Sequence, residues 1–242
     1  MNPLSNINFD KIELREHPSF FSYLHITPDR HKQSQGVVII SHGSGGMSDV
    51  DLKFANIACS NNYDVLLIDH FTKRGIKSLT WHTFEEACTF QDMANDIVKS
   101  IEKEKYKKVL LHGISAGGTA VIIASKHATK TFAICPALSF PISSPSSIHS
   151  HWPYPYTEPK NLTIVAGERD EWCPIDQAQK YQHRTKCKLI VLPSHHGFYN
   201  PRNDEYLEDA ISLRDGFPKG VTVKYDKRST DLTYEAFKEW LL

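Results

Sequence analysis

The sequence lacks the features that would place it in a specialised class of protein. No apolar run approaches the ~20 residues that a membrane-spanning helix requires. The first residues do not show a basic segment followed by an apolar one, as a secretory signal does. The 28 Lys and Arg residues balance the 28 Asp and Glu residues, so no basic surface for nucleic acid is expected. We therefore expect neither a membrane span nor a nucleic-acid partner.

Cysteine is also scarce. The 242 residues include five cysteines, which are odd in number and widely spread along the chain. Such a set does not suit a disulfide framework and fits a reducing compartment better. We expect a cytoplasmic protein.

A regular alternation of short apolar runs and longer amphipathic segments is present instead. Near-continuous apolar strands separated by helices predict a mostly parallel sheet that is covered by helices on both faces. The predicted strands are Val37–Ile40, Val65–Ile68, Lys108–His112, Phe132–Cys135, Leu162–Val165 and Leu189–Leu192, and the predicted helices are Asp51–Cys59, Thr83–Glu104, Thr119–Ser125, Ile175–Arg184 and Leu232–Leu242. Residues 11–14 and 20–24 alternate in polarity and suit antiparallel edge strands.

Two segments have no such periodicity. Pro136–Lys160 is rich in Pro, Ser and aromatic residues, and Gly197–Gly220 is polar and irregular. Neither segment is long enough for a second domain, so both are predicted to be loops on one scaffold. We expect residues 1–242 to form a single α/β domain with no large cap domain.

The most informative motif is Gly113-Ile114-Ser115-Ala116-Gly117. An apolar run leads into it and a helical segment leads out, so the serine stands at the apex of a tight turn. Such a turn exposes the hydroxyl and directs the next N–H towards the position of an oxyanion. Taken alone, the pattern also fits an ordinary turn between a strand and a helix.

Polar residues follow other predicted strands. His42-Gly43-Ser44-Gly45-Gly46, Gly167-Glu168-Arg169-Asp170 and Ser194-His195-His196-Gly197 each come directly after an apolar run. The carboxyl ends of parallel strands lie at one edge of the sheet, where chemistry gathers. A hydroxyl, a carboxylate and an imidazole then follow in the order Ser, Asp, His, which is expected of an α/β-hydrolase.

Each of these groups is assigned a chemical task. A serine hydroxyl needs a base to act as a nucleophile, so Ser115 is paired with His196. A carboxylate has to orient the imidazole and stabilise its protonated form, and Asp170 is assigned to that task. The backbone N–H groups of Ser44 and Ala116 are the candidate donors to the oxyanion.

Nearby residues compete for these tasks. Glu168 and Glu171 flank Asp170, but a short side chain at a strand end is better placed to reach back to a histidine. His195 competes with His196, which is preferred because the following glycine suits a turn that presents the ring. Cys173 lies near the acid, but no neighbour would activate its thiol.

Two further histidine positions are given other interpretations. His42 is expected to be structural and to pack beside residues 43–46, which form the loop that carries the Ser44 N–H and is called the oxyanion loop below. The pair in His149-Ser150-His151 offers only two ligands where a metal site needs three or four, so no metal and no cofactor is expected.

From about residue 36 to residue 242 the chain resembles the dienelactone-hydrolase branch of the α/β-hydrolases. The stretches that carry the resemblance are residues 42–46, 63–76, 113–118, 167–170 and 196–198. The resemblance implies the α/β-hydrolase fold with no separate cap domain, hydrolysis of an ester-type bond, and Ser115, Asp170 and His196 as the catalytic triad.

The chain departs from that branch at three positions. Dienelactone hydrolases have a cysteine at the position of Ser115 and a glutamate in the loop that is His42-Gly43-Ser44-Gly45-Gly46 here. They also have an arginine four residues after the catalytic histidine, a position that is Asn200 here. These differences favour a serine esterase over a hydrolase of dienelactone itself.

The substrate pocket is predicted from aromatic and apolar residues near the motifs, namely Met47, Phe71, Trp152, Tyr154 and Phe198. Trp152 and Tyr154 either line the pocket or cover the edge of the sheet. The short 136–160 segment favours a small carboxylic ester, lactone or thioester as the small-molecule substrate. A peptidase, an acyltransferase and a non-catalytic ligand-binding protein on the same fold are the alternatives, and the sequence does not indicate an oligomeric state.

Overall fold

The computed structural model describes residues 9–18, 21–28, 33–79, 87–104, 106–138, 159, 161–207 and 220–242. Its strands are β1 (Phe9–Glu16), β2 (Ser22–Pro28), β3 (Val37–Ser41), β4 (Asp64–Asp69), β5 (Val109–Ile114), β6 (Lys130–Ile134), β7 (Leu162–Gly167), β8 (Lys188–Leu192), β9 (Asp204–Leu207) and β10 (Val221–Lys224). Its α-helices are α1 (Asp49–Ser60), α2 (Phe90–Glu104), α3 (Ala116–Ala124), α4 (Ile175–Thr185) and α5 (Lys227–Leu241). None of these described helices is both long and apolar enough to cross a membrane.

Eight of the described strands form one mixed sheet in the order β1-β2-β4-β3-β5-β6-β7-β8. The six strands from β3 to β8 run parallel to one another, and β1 and β2 form the antiparallel end, as the sequence predicted. The chain proceeds from β3 to β4 on one side and then returns to β5 on the other. The loops that leave β3 and β5 therefore separate at the switch point of the sheet, where open α/β sheets bind their ligands.

The central strands are buried on both faces because nearly every residue in them is apolar. Alternate residues face opposite sides: Val37 and Ile39 belong to one hydrophobic cluster, while Val38 and Ile40 belong to the other. Helices α2, α3 and α4 pack in the first cluster, and α1 and α5 pack in the second. The two-sided burial is the pattern expected of a parallel sheet.

Helices α1 and α3 begin at Asp49 and Ala116, two and three residues before their predicted starts, and the starts of α2 and α5 also differ from the prediction. Helix α2 begins at Phe90, where Thr89 and Asp92 form a reciprocal cap in which the Asp92 carboxylate accepts from the Thr89 N–H at 2.9 Å. The predicted start at Thr83 lies outside the described residues. Helix α5 begins at Lys227 and not at Leu232, because the Asp226 carboxylate accepts from the Ser229 N–H at 2.6 Å. Both caps are polar, so the apolar periodicity did not detect them.

The segment Gly197–Gly220, predicted to be irregular, contains a strand. Its β9 pairs antiparallel with β10, with Asp204 opposite Lys224. This hairpin supports the loop after β8, because the Lys224 N–H donates to the His196 carbonyl at 3.2 Å. The four residues of β9, Asp-Glu-Tyr-Leu, do not show the alternation that marks a half-buried strand, whereas those of β10, Val-Thr-Val-Lys, do.

Candidate active site

Ser115 stands between β5 and α3 in a backbone conformation that non-glycine residues rarely adopt, with φ 52° and ψ −115°. The glycines around it are required by close backbone contacts. A Cβ on Gly113 would lie 2.2 Å from the Gly117 carbonyl oxygen, and a Cβ on Gly117 would lie 2.1 Å from that of Ser41. The tight packing of β5, α3 and β3 thus fixes the turn that carries the serine.

Three side chains from three separate loops form one hydrogen-bonded chain. The Ser115 hydroxyl lies 3.1 Å from His196 Nε2, and His196 Nδ1 lies 2.8 Å from Asp170 Oδ2. Asp170 follows β7 and His196 follows β8, so the carboxyl edge of the sheet brings both to the serine. This geometry lets the imidazole take the hydroxyl proton while the carboxylate holds its other nitrogen.

The Asp170 carboxylate is held from its own loop. Its Oδ1 accepts from the N–H groups of Trp172 at 2.9 Å and Cys173 at 2.7 Å, which leaves Oδ2 to accept from His196 Nδ1–H. Asp170 is buried, whereas Glu168 and Glu171 are exposed. Asp170, and not either glutamate, is therefore the acid that contacts the imidazole.

The loop of His196 is shaped by a left-handed glycine and by the hairpin. Gly197 has φ 70°, and its carbonyl accepts from the Asn203 side chain at 2.8 Å. The ring of Trp172 packs 5.1 Å from the ring of His196. The preceding His195 is outside this hydrogen-bonded chain, and its Nδ1 is buried without a partner among the described residues.

The two expected oxyanion donors are the N–H groups of Ala116 and Ser44. Ala116 is the first residue of α3, where an N–H has no partner within the helix. Ser44 lies in the loop after β3, which is closed by a 3.1 Å bond from the Gly46 N–H to the Gly43 carbonyl. Within the described part of the chain, no acceptor is found for the N–H of Ser44 or of Ala116.

His42 supports this loop from beneath. Its Nδ1–H donates to the Gly43 carbonyl at 2.8 Å, its Nε2 accepts from the His70 N–H at 3.3 Å, and its ring centroid lies 4.5 Å from that of Phe71. Burial lowers the pKa of His42 to about 3, so the ring is neutral at neutral pH. Both ring nitrogens are engaged in holding backbone, as a structural histidine requires.

Behind His42 lies a second chain of Ser, His and Asp that sequence reasoning did not find. His70 Nε2 accepts from the Ser41 hydroxyl at 3.0 Å, and His70 Nδ1–H donates to the Asp96 carboxylate at 2.9 Å. Arg74 pairs with both oxygens of Asp96 at 2.7 and 3.0 Å. Ser41 and His70 are both fully buried, so this chain has no access to a substrate. Burial also lowers the pKa of His70.

A cavity of about 280 Å³ opens beside the serine. Its described wall includes Ser115, His196 and Trp172, the oxyanion loop, and residues 48, 50, 51, 114, 197, 199, 200, 203 and 223. Met47, Phe71 and Phe198, which were expected in the pocket, are not among these residues. Met47 is exposed, whereas Phe71 and Phe198 are buried in the hydrophobic clusters. Trp152 and Tyr154 lie outside the described residues.

Asp51 is a cavity residue that the sequence analysis missed. It follows Ser48 by three residues, and Ser48-x-x-Asp51 directly after the oxyanion loop is the pattern of a helix cap. That pattern could have placed the start of α1, and hence Asp51, beside the site.

One group of three potential metal ligands occurs in the described part of the chain, namely Cys135, Asp170 and His196, whose ligand atoms lie within 4.8 Å of one another. The Asp170 and His196 atoms are already hydrogen-bonded to each other. Burial and the Asp170 charge raise the pKa of Cys135 well above its usual range, so the thiol is not the thiolate that a metal needs. This group does not fit a metal ion, and His149 and His151 lie outside the described residues.

The chain matches one family model, and many solved structures have a similar fold. Residues 34–214 match the family model described as "Alpha/beta hydrolase domain". None of the curated proteins is significantly similar to the chain.

Three solved structures with a similar fold are distant in sequence. Est1E from Butyrivibrio proteoclasticus is 14% identical with a TM-score of 0.64, and the match covers 96% of this chain and 98% of that one. A monoacylglycerol lipase from Paleococcus ferrophilus is 15% identical with a TM-score of 0.60, over 87% and 95% of the two chains. A dienelactone hydrolase-like promiscuous phosphotriesterase from metagenomic libraries is 10% identical with a TM-score of 0.64, over 96% of each chain. At these identities the likeness concerns the fold.

Proposed function

The chain belongs to the alpha/beta hydrolase family, and from that membership and the geometry of its site we propose that it is a serine hydrolase. Its substrate is a small carboxylic ester, lactone or thioester. The observation that carries the proposal is the hydrogen-bonded chain from the Ser115 hydroxyl through His196 to Asp170, with distances of 3.1 and 2.8 Å.

The reaction begins at Ser115. As its oxygen attacks the substrate carbonyl, the hydroxyl proton passes to His196 Nε2, and a tetrahedral oxyanion forms. The N–H groups of Ser44 and Ala116 stabilise that oxyanion, and one such donor is typically worth about 2.7–4 kcal/mol of barrier. Asp170 holds the imidazole in the tautomer that accepts the proton and stabilises the imidazolium.

The intermediate then collapses in two stages. His196 returns the proton to the leaving alcohol or thiol, and the acyl group remains on the Ser115 oxygen as an ester. A water molecule gives a proton to His196 and attacks the acyl carbonyl, which releases the acid and restores the serine hydroxyl. The strained turn supports this cycle, because it holds the nucleophile in place before substrate arrives.

A panel of p-nitrophenyl esters of increasing acyl length tests the proposal. We expect the short esters to be hydrolysed fastest, since the described cavity of about 280 Å³ suits a small acyl group. Ser115→Ala should lower kcat by several orders of magnitude while folding is retained, because the serine is at a loop apex and outside the core.

The matched control is Ser60→Ala, at an exposed helix end far along the chain from the site residues. It should leave every rate unchanged. Ester hydrolysis by Ser115→Ala at a rate near that of the wild type would refute the nucleophile and with it the proposed function.

A further inference from the structure

The cavity beside Ser115 has a buried carboxylate in its wall. Asp51 lies in the first turn of α1, immediately after the oxyanion loop, and is 1% exposed. It lines the same cavity as Ser115 and His196. A small substrate bound in this cavity would therefore lie between Asp51 and the reacting serine.

Only one of the two carboxylate oxygens is used by the protein. Asp51 Oδ2 accepts from both the N–H and the hydroxyl of Ser48, each at 2.8 Å, and so caps the helix. Asp51 Oδ1 is buried and has no hydrogen-bond partner in the described part of the chain. Among the described residues that line the cavity, it is the single buried polar side-chain atom left unpaired.

An unpaired buried acceptor is unfavourable unless something else fills its hydrogen-bonding capacity. Leaving such a group unsatisfied typically costs about 1–3 kcal/mol, and more when it is charged. A neutral amide oxygen at this third helical position, such as that of glutamine, would also accept the bond from the Ser48 N–H that completes the cap. The retained carboxylate therefore needs an explanation beyond the cap.

The charge of the described cavity wall indicates which chemical groups of a substrate would bind beside Asp51. The wall contains no Lys or Arg among the residues described, and its other polar members include Ser48, Asn200 and Asn203. Burial raises the pKa of Asp51 to about 6, so the carboxylate is mostly ionised at neutral pH. A negative charge in a half-enclosed site attracts donors and cations and repels a carboxylate on the substrate.

We propose that Asp51 is a substrate-recognition residue whose unpaired Oδ1 accepts a hydrogen bond from a hydroxyl or ammonium group on the ester. This proposal rests on the proposed function and narrows its substrate class. The preferred substrates are small esters that carry a hydrogen-bond donor near the scissile carbonyl, and esters that carry a carboxylate there are disfavoured.

The test compares esters of equal size by the rate of acid release at constant pH. On the acyl side, ethyl β-hydroxybutyrate is compared with ethyl isovalerate, which replaces the hydroxyl by a methyl group, and with monoethyl succinate, which carries a carboxylate. On the alcohol side, hydroxyethyl butyrate is compared with propyl butyrate. We expect kcat/KM for the hydroxyl ester of at least one pair to exceed that of its apolar partner by about tenfold or more.

Asp51→Asn isolates the unpaired oxygen. The asparagine carbonyl can keep the bonds from Ser48, which places an N–H₂ donor where Oδ1 stood. We expect the preference for the hydroxyl ester to disappear and kcat/KM for monoethyl succinate to rise by about tenfold. Asp49→Asn makes the same change two residues earlier, at a half-exposed side chain that pairs with Arg202, and should leave all rates unchanged.

The outcomes separate this inference from the proposed function. If all esters are hydrolysed without regard to the hydroxyl, or if Asp51→Asn slows every ester by one common factor, the recognition role is overturned and the serine hydrolase stands. If no ester is hydrolysed and a fluorophosphonate does not label the protein, the proposed function falls and this inference with it.

Discussion

Ser115 carries a backbone strain of the kind that holds a reacting side chain in place at functional sites. A non-glycine residue at φ 52° and ψ −115° costs about 1–3 kcal/mol, which the surrounding packing must offset. The neighbouring contacts are tight enough to do so, because Gly113 and Gly117 leave no room for a side chain.

Asp170→Asn is expected to remove most of the activity. The variant keeps the shape of the side chain, but an amide N–H₂ facing His196 would favour the wrong tautomer of the ring. We expect kcat to fall by about 10⁴-fold, as the loss of an orienting acid does in other triads, with KM little changed. Steady-state kinetics on a short p-nitrophenyl ester measure both values.

The flanking acids provide the controls for this prediction. Glu168 and Glu171 are exposed, and Glu168→Gln and Glu171→Gln should each retain the wild-type kcat. If either of them proved as damaging as Asp170→Asn, the assignment of the acid would have to be revised.

The site depends on the close packing of the start of α3 against the ends of β3 and β5. The Gly117 position allows α3 to lie directly on the end of β3. Gly117→Ala would place a Cβ 2.1 Å from the Ser41 carbonyl oxygen and 2.4 Å from that of His42. Both are backbone atoms, so α3 has to shift, and we expect loss of activity together with a lower melting temperature.

Gly45→Ala is the matched substitution in the neighbouring loop. A Cβ there meets nothing within 4 Å, and the residue does not have a positive φ. This variant should fold with an unchanged melting temperature. A Gly117→Ala variant as stable as Gly45→Ala would show that the close packing of α3 on β3 is not required.

A second prediction concerns the buried hydrogen-bonded chain of Ser41, His70 and Asp96, which lies behind the oxyanion loop. Asp96→Asn would remove the carboxylate charge that Arg74 pairs with and would weaken the bond from His70. Removing one member of such a pair typically lowers the free energy of unfolding by about 3–5 kcal/mol. Because His70 contacts His42, which holds the Gly43 carbonyl, we expect kcat to fall while KM stays nearly constant.

Chemical denaturation and steady-state kinetics would be measured together for this variant. Glu102→Gln, at an exposed position of the same helix, is the control for the loss of a charge. Destabilisation of Asp96→Asn with a wild-type kcat would mean that the buried chain supports the fold alone.

The fold could be predicted from the sequence wherever burial left an apolar pattern. The central strands and the start of α4 at Ile175 follow from such patterns. The starts of α2 and α5 and the β9–β10 hairpin did not, because polar caps and a polar strand make them. Sequence spacing identified the residues that follow the strands, but no local pattern links Ser41, His70 and Asp96, which meet only in the folded chain.

Across the whole molecule, buried neutral histidines couple stability to pH. Burial lowers the pKa of His42 and of His112 to about 3, and their ordinary value is 6.5. Between these values the unfolded chain binds more protons than the native one, so stability falls as the pH is lowered. Asp51 acts in the opposite direction, because its raised pKa of about 6 makes the native state bind the extra proton below that pH.

His112 offers the clearest test of this coupling. Its Nδ1–H donates to the Phe132 carbonyl at 3.1 Å, its buried Nε2 has no partner among the residues that the structure describes, and the centroid of the Phe54 ring lies 4.2 Å away. His112→Gln cannot take up a proton and retains an N–H donor. We expect the fall in unfolding free energy between pH 6.5 and about pH 4 to become shallower by up to about 1.4 kcal/mol per pH unit.

Urea denaturation over this pH range would measure the slope. His127→Gln, at an exposed position, should leave the slope at its wild-type value. Equal slopes for His112→Gln and the wild type would contradict the neutral, buried state of His112.

The most direct test of the central claim is to find which residue becomes covalently modified. The native protein is incubated with one equivalent of a fluorophosphonate, digested, and analysed by tandem mass spectrometry. The account predicts one phosphonyl group per chain, located on Ser115, and none in Ser115→Ala. A natively folded protein that remains unlabelled, or that is labelled at another residue and equally in Ser115→Ala, would contradict it.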